Sequence, residues 1–272
     1  MKYLLPAVAF FILTLLASPV YSQTPTSSDF NFDKAYQDYL YNSDQYRKTN
    51  LDYELYRSQY LKFKTLKSQE NAYNATLAML KARDDTIKTY LTALRLKLNE
   101  TEGVDGAQKE VLFTKIDQEV PWFITHRDSL PSAGTLEDLV GDSDEAKVRF
   151  NADTPLFYGS LLSVSGGKVR FVREKEEEIL TSLKAKIAEI RQNGDKNTQI
   201  LERWILDTED KITRSKEKET EAYKVMNKSN LTTKEASGAY DQALFRLKEA
   251  YQYLKEANSY LSEIVGEMKY AD

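Results

Sequence analysis

The C-terminal part of the chain carries its most regular hydrophobic pattern. Apolar residues recur there at alternating steps of four and three, in a row that we name the C-terminal seam: Ala236, Tyr240, Ala243, Leu247, Ala250, Leu254, Ala257 and Leu261. A period of 3.5 residues held over several heptads is the condition for helices that pack side by side and supercoil left-handed. Every second seam position is alanine, which lets a neighbouring backbone approach closely. The sequence therefore predicts a tightly packed helix over about residues 232–269.

A second long helical pattern covers about residues 28–100, which contain neither proline nor glycine. Tyrosines recur at helical spacing in its first half, and leucines keep helical register in its second half. The phase shifts between Tyr60 and Leu66, where we expect local overwinding of one continuous helix. Such a helix would be roughly 105 Å long at 1.5 Å per residue, so we expect an elongated molecule.

The pattern between residues 101 and 153 is less regular. Gly103 and Gly106 are stop signals for the first helix, and Pro121 interrupts the apolar spacing that follows. Asp153-Thr154-Pro155 has the form of a helix cap followed by proline at the first helical position. We therefore expect an irregular helical middle that ends where a new helix begins, at about residue 155.

Two further helices are expected over about residues 155–192 and 195–227, on either side of the Asn193-Gly194 turn. Together these patterns predict an all-α fold. We expect residues 23–272 to form a single elongated domain, a mostly antiparallel bundle of long helices with coiled-coil-like packing.

The segment 156–172 allows two interpretations. Gly166-Gly167 can be the turn of a β-hairpin between two short apolar strands. An apolar tongue on a body of long helices resembles the general plan of helical pore-forming toxins, and that resemblance implies a membrane-active protein. The other interpretation is a glycine-containing helix packed in the bundle, which Lys168, Arg170 and several serines favour.

The first 22 residues have the form of a secretory signal peptide. Lys2 precedes an apolar stretch, and Val20 and Ser22 stand where signal peptidase requires small residues. We predict cleavage between Ser22 and Gln23, and hence a secreted or periplasmic protein of the cell envelope. An uncleaved signal that anchors the chain in a membrane is the alternative. No later apolar run is long enough for a membrane span.

Composition narrows the function classes. The chain has no cysteine, which excludes disulfides, thiolate nucleophiles and thiolate metal sites. Its net charge is −4, and residues 101–153 are its most acidic part, with 5 basic and 12 acidic side chains. The sequence shows no basic stripe, so nucleic acid and anionic lipid headgroups are poor candidate partners.

Candidate catalytic chemistry is sparse. His126 is the only histidine, so a site with several imidazole ligands is excluded, and no nucleophile elbow or phosphate-binding loop is present. Asp138, Asp142 and Asp144 lie close together but without the spacing of a calcium-binding loop, which favours a solvated acidic segment. We expect no catalytic, cofactor or metal site, and no enzyme.

Tyrosine supplies the remaining candidate, since its 18 copies concentrate near both ends of the mature chain. Tyrosine suits both half-wet helix seams and binding surfaces. Tyr41, Tyr253 and Tyr270 fall outside the helical seams and are candidates for a partner surface. The sequence thus favours an exported structural or protein-interaction protein, a scaffold, adhesin or holdase. Its partner would be another envelope or extracellular protein, or a second copy.

Overall fold

The computed structural model describes residues 31–193, 197–226 and 232–270, and of residue 270 it describes the backbone only. These residues belong to one compact unit. Its helices are α1 (Phe32–Phe63), α2 (Leu66–Glu100), α3 (Gly106–Ser129), α4 (Leu136–Asn193), α5 (Gln199–Met226) and α6 (Thr233–Tyr270), with a 3₁₀ turn at Leu130–Ser132. No strand occurs in the described ranges. The predicted all-α class is confirmed.

The predicted continuous helix over about residues 28–100 is wrong, because the chain turns at Lys64 and Thr65. Lys64 adopts the left-handed conformation (φ 47°), and its N–H donates to the carbonyl of Tyr60 at 2.9 Å. Thr65 then caps α2: its hydroxyl accepts from the N–H of Ser68, and the Ser68 hydroxyl accepts from the N–H of Thr65. This reciprocal capping box fixes a helix start. Helices α1 and α2 therefore pack against each other as an antiparallel hairpin.

The expected helix start at residue 155 is also wrong, because α4 is one helix of 58 residues that contains Pro155. Proline inside a helix removes a hydrogen bond and costs about 3 kcal/mol. Asp153, Thr154, Leu156 and Phe157 are all buried here, so packing offsets that cost. Pro121 likewise lies inside α3. Residues 101–153 therefore form α3 and the beginning of α4, in place of an irregular middle.

Helix α4 packs against α2 and α3 along its first part, against α5 along its second part, and against α6 from its first part onwards, as the contact of Tyr158 with Tyr240 shows. It runs antiparallel to α3, since His126 contacts Asp142 while Gln108 contacts Ser163. It runs antiparallel to α5 as well, because Arg170 pairs with Glu219 and Lys184 with Glu209. At roughly 87 Å, α4 is the longest helix and contributes side chains to every main hydrophobic cluster.

The C-terminal seam lies on α6 and faces α4 and α5. Seven of its eight residues are buried and Tyr240 is half-buried. Ala243, Leu247, Ala250 and Leu254 pack with Leu162 and Val169 of α4 and Ala222 of α5. Alanine at the closest positions allows this approach of three helices. The left-handed supercoil that the spacing indicates stays a prediction.

Ala250→Leu is expected to lower the free energy of unfolding by about 1–3 kcal/mol, because Ala250 is fully buried and the added atoms overpack the seam. Lys248→Leu is the control at an exposed position of the same helix, where the change should stay within about 0.5 kcal/mol. Urea unfolding of both variants measures the difference. Equal midpoints would show that the seam tolerates larger side chains.

Candidate functional site

The sequence-based candidates for a partner surface do not form one surface. Tyr41 lies on α1 and is 65% exposed. Tyr253 lies on α6 and is half-buried, with the cationic groups of Lys211 and Arg214 at 5.6 and 6.0 Å from its ring centroid. The side chain of Tyr270, and the predicted cleavage site at Ser22 and Gln23, lie outside the described residues.

The segment 156–172 is helical and belongs to the core of α4. Most of its large apolar residues are buried, among them Leu156, Phe157, Leu161, Leu162, Val164 and Val169. Gly166 and Gly167 do not form a turn. A side chain on Gly166 would overlap the Tyr223 hydroxyl, and one on Gly167 would lie 2.6 Å from a methyl carbon of Val104. These glycines therefore let α5 and the α2–α3 loop approach α4 closely.

A buried histidine–carboxylate contact joins α2, α3 and α4. The Nδ1 atom of His126 lies 2.6 Å from Oδ2 of Asp84, and its Nε2 atom lies 3.1 Å from the carbonyl oxygen of Asp142. Trp122 stacks on the imidazole with ring centroids 5.0 Å apart. Arg83 extends the cluster by donating to the hydroxyl of Ser143. No local pattern predicts this contact, because 42 residues separate Asp84 from His126.

The environment of His126 favours its charged form. Both of its neighbours are acceptors, and only the protonated imidazole can donate a hydrogen bond from each ring nitrogen. The hydrogen bond to Asp84 raises the pKa of His126 above its usual value, although burial opposes the shift. A protonated imidazole with both nitrogens engaged cannot accept a proton from a substrate. We conclude that this contact holds three helices together.

A second polar cluster lies on the other side of Trp122. Arg149 donates to both carboxylate oxygens of Glu119, at 2.6 and 2.8 Å, and its guanidinium lies over the Trp122 ring. Burial, with the neighbouring Glu119, raises the pKa of Asp153 to about 7. The carboxyl of Asp153 therefore keeps its proton up to near neutral pH.

The interface of α4 with α5 buries further charges. Arg170 and Arg173 both donate to the carboxylate of Glu219. One turn along α4, Glu176 is buried and its Oε2 atom has no hydrogen-bond partner. Burial alone raises the pKa of Glu176 to about 8. The carboxyl of Glu176 is thus mostly protonated at pH 7 and acts as a neutral polar group in the core.

Within the described ranges, no group of three or more histidine, aspartate or glutamate side chains could hold a metal ion. The acidic residues near Gly141 lie on α4 rather than in a loop, and Asp138 accepts from the N–H groups of Gly134 and Thr135. The described helices also include none with the length and apolarity of a membrane span.

The outward face of α1 carries exposed leucine side chains. Only Phe32 and Ala35 of this helix are buried. Its half-buried tyrosines point towards α2: Tyr46 and Tyr53 pack beside Met79 and Leu80, and Tyr39 contacts Tyr90. The opposite side of α1 carries Leu40, Asp44, Arg47, Leu51 and Leu55, which we name the outer leucine face. Its three leucines are exposed, Leu51 to 64%.

The turn between α1 and α2 is a second unusual surface. Residues 61–67, which we name the hairpin tip, are all exposed. The tip carries Leu61, Phe63 and Leu66, of which Leu66 is 84% and Phe63 60% exposed. Lys62, Lys64 and Lys67 alternate with them. Exposed apolar residues in a cluster mark sites that contact a partner.

Sequence reasoning missed both surfaces. The prediction of one continuous helix placed Phe63 and Leu66 along a helix seam. The tyrosine spacing correctly marked one side of α1, but the leucines of the other side have the same helical period. Comparison of the chain with protein-family models, with curated proteins and with solved structures gives no match.

Proposed function

We propose that this protein is an exported structural protein of the cell envelope or extracellular space, and that it acts by self-association through the outer leucine face. The observation that carries the proposal is the packing of α1, which half-buries its tyrosines other than Tyr41 and leaves its leucines exposed to solvent. Fully burying a leucine side chain is worth about 1.5–3 kcal/mol, so a second helix on this face would be stabilised. The signal-like N-terminus supports export.

The spacing of the outer leucine face favours a second copy as the partner. Leu40, Asp44, Arg47 and Leu51 follow one another at steps of four, three and four, so the order is symmetric about its midpoint. When two such helices pair antiparallel about a twofold axis, Leu40 lies opposite Leu51 of the second copy. Asp44 then lies opposite Arg47 of the second copy, twice in each dimer. Apolar contacts thus flank two pairs of opposite charges.

The side chains of Asp44 and Arg47 are exposed enough to pair with those of a second copy. Within one chain Asp44 bridges Arg47 at 3.3 Å and Lys48 at 2.7 Å, and all three side chains are at least 45% exposed. Exposed ion pairs of this kind contribute little to stability, so Arg47 can turn to the second copy at small cost. Lys48 remains with Asp44 of its own chain. The exposed leucines and the charge complementarity therefore support the same pairing.

Charge reversal tests the proposal. Sedimentation equilibrium of the purified protein is expected to show a reversible dimer. In Asp44→Arg or Arg47→Asp, like charges face each other across the twofold axis, and we expect the dissociation constant to rise at least about tenfold. An equimolar mixture of the two variants restores opposite charges at both contacts, so a heterodimer should form.

Circular dichroism melts of both variants serve as the folding control, since the changed positions are exposed. A wild-type protein that stays monomeric would contradict self-association. So would variants that dimerise as the wild type does, or a mixture that fails to dimerise when the wild type does. Loss of dimer in Leu51→Asp would show in addition that the leucines are buried in it.

A further inference from the structure

The hairpin tip combines positive charge with exposed apolar side chains. Residues 57–67 contain four basic side chains, Arg57, Lys62, Lys64 and Lys67, and no acidic one. The rest of α1 is close to neutral, and residues 101–153 are acidic, so positive charge is local to this end of the hairpin. Anionic lipid was a poor candidate for the chain as a whole, which has no basic stripe, but a local cluster of this kind attracts anionic surfaces over about one Debye length.

The geometry of the turn places the apolar side chains at the outermost position. The left-handed conformation of Lys64 ends α1 immediately after Phe63, and the capping box of Thr65 starts α2 at Leu66. Leu61, Phe63 and Leu66 therefore lie around one convex end of two packed helices, each more than half exposed. A convex apolar tip requires a cavity in a protein partner, whereas a lipid bilayer deforms around it.

The lysines of the tip suit the boundary of a bilayer. The Nζ atom of Lys62 lies 5.1 Å from the centroid of the Phe63 ring, so its ammonium group already lies beside an apolar neighbour. Lysine side chains can keep the ammonium group at the level of the phosphates while apolar neighbours enter the acyl region. Lys67 forms an ion pair with Glu70 at 3.0 Å, and this exposed pair weakens the charge of Lys67 only slightly.

We propose that the hairpin tip binds the surface of an anionic lipid bilayer, with Leu61, Phe63 and Leu66 entering the interface and the lysines contacting lipid phosphates. This contact is peripheral and needs no membrane-spanning helix. It differs from the pore-forming alternative, which required the buried segment 156–172. It is also independent of self-association, because the outer leucine face and the tip share no residue.

Vesicle co-sedimentation of the full-length protein tests the proposal. We expect binding to vesicles that contain phosphatidylglycerol and weak binding to vesicles of phosphatidylcholine alone, with loss of binding as salt is raised. Replacing Phe63 and Leu66 together by serine should weaken binding at least about tenfold. Lys62→Gln with Lys64→Asn should weaken it by a similar factor, and asparagine tolerates the left-handed turn.

Matched controls separate the tip from the remaining surface. Leu206→Ser and Lys248→Gln remove an exposed leucine and an exposed lysine from α5 and α6, and should leave binding unchanged. Binding that persists in both tip variants would overturn the proposal and assign the contact to another segment. Equal binding to neutral and anionic vesicles, or no binding to either, would also overturn it. Unchanged thermal melts of the tip variants would exclude misfolding as the cause of weaker vesicle binding.

Discussion

Gly103→Ala is expected to lower the free energy of unfolding by about 2–4 kcal/mol, one of the largest effects of any single methyl group in this protein. Gly103 has φ +73°, a conformation that side chains other than glycine rarely adopt. An added Cβ would also overlap the carbonyl oxygen of Gly167 and lie 2.8 Å from the amide nitrogen of Phe171. These are backbone atoms of α4, which cannot move aside as a flexible side chain could.

Two other glycines provide controls for the same substitution. Gly141 and Gly238 are helical, and a Cβ on either would meet nothing within 4 Å. Alanine at these positions should raise stability by about 0.5–1 kcal/mol, because glycine is the poorer helix former. Guanidinium unfolding of the three variants gives the comparison. If Gly103→Ala proved as stable as the wild type, the close approach of the α2–α3 loop to α4 would be wrong.

The free energy of unfolding is expected to fall as pH rises from about 5 to 9, and Glu176→Gln should remove about 2–4 kcal/mol of that fall. The pKa of Glu176 is raised by burial from 4.5 to about 8. The folded state therefore holds a proton that the unfolded state releases above about pH 4.5. Stability from this group is complete at low pH and is lost as pH rises through the folded pKa.

Asp153 and His126 also lower the free energy of unfolding as pH rises. The pKa of Asp153 is raised to about 7, so its contribution is also lost on the alkaline side. The pKa of His126 is raised by Asp84, and its contribution is present below the unfolded pKa and lost above the folded one. Because these two groups remain in Glu176→Gln, we expect the variant to keep a smaller pH dependence.

Glu174→Gln is the matched control, since Glu174 lies two residues away on α4 and is exposed. Guanidinium unfolding at several pH values between about 5 and 9 measures all three proteins. The control should follow the wild type throughout. A Glu176→Gln variant that loses stability with pH as steeply as the wild type would show that Glu176 has another partner in the folded state.

The parts of the fold that could be predicted are those encoded by local spacing. The C-terminal seam repeats over many turns, and the same residues that define the spacing are buried on α6. The break between α1 and α2 was missed because its left-handed residue is Lys64 rather than glycine or asparagine. The sequence contains two other indications of this turn, the Thr65–Ser68 pair and the loss of helical phase. Both are weaker than the indication of a continuous helix from a long region without proline or glycine.

The continuity of α4 could not be read from the sequence for a different reason. Asp153-Thr154-Pro155 is a favourable helix start, and only the burial of its neighbours by α2 and α3 makes continuation through the proline preferable. The candidate surfaces depend on tertiary structure in the same way. Which side of α1 is covered is decided by α2, and the tyrosines and leucines of α1 have equal helical spacing. Sequence alone therefore selected Tyr41 but not Leu51 or the hairpin tip.

The sharing of α4 between two groups of helices has a consequence for how the protein opens. Leu139 and Leu156 belong to clusters formed with α2 and α3, whereas Leu180 and Ile187 belong to a cluster formed with α5 and α6. Neither α2 with α3 nor α5 with α6 can separate from α4 without exposing buried residues of α4. Each of these pairs of helices packs on the same helix as the other. The amide hydrogens in the middle of α4 should therefore exchange with solvent only through global opening. Those of α1, which packs mainly on α2, should exchange through local opening while the rest of the bundle stays folded.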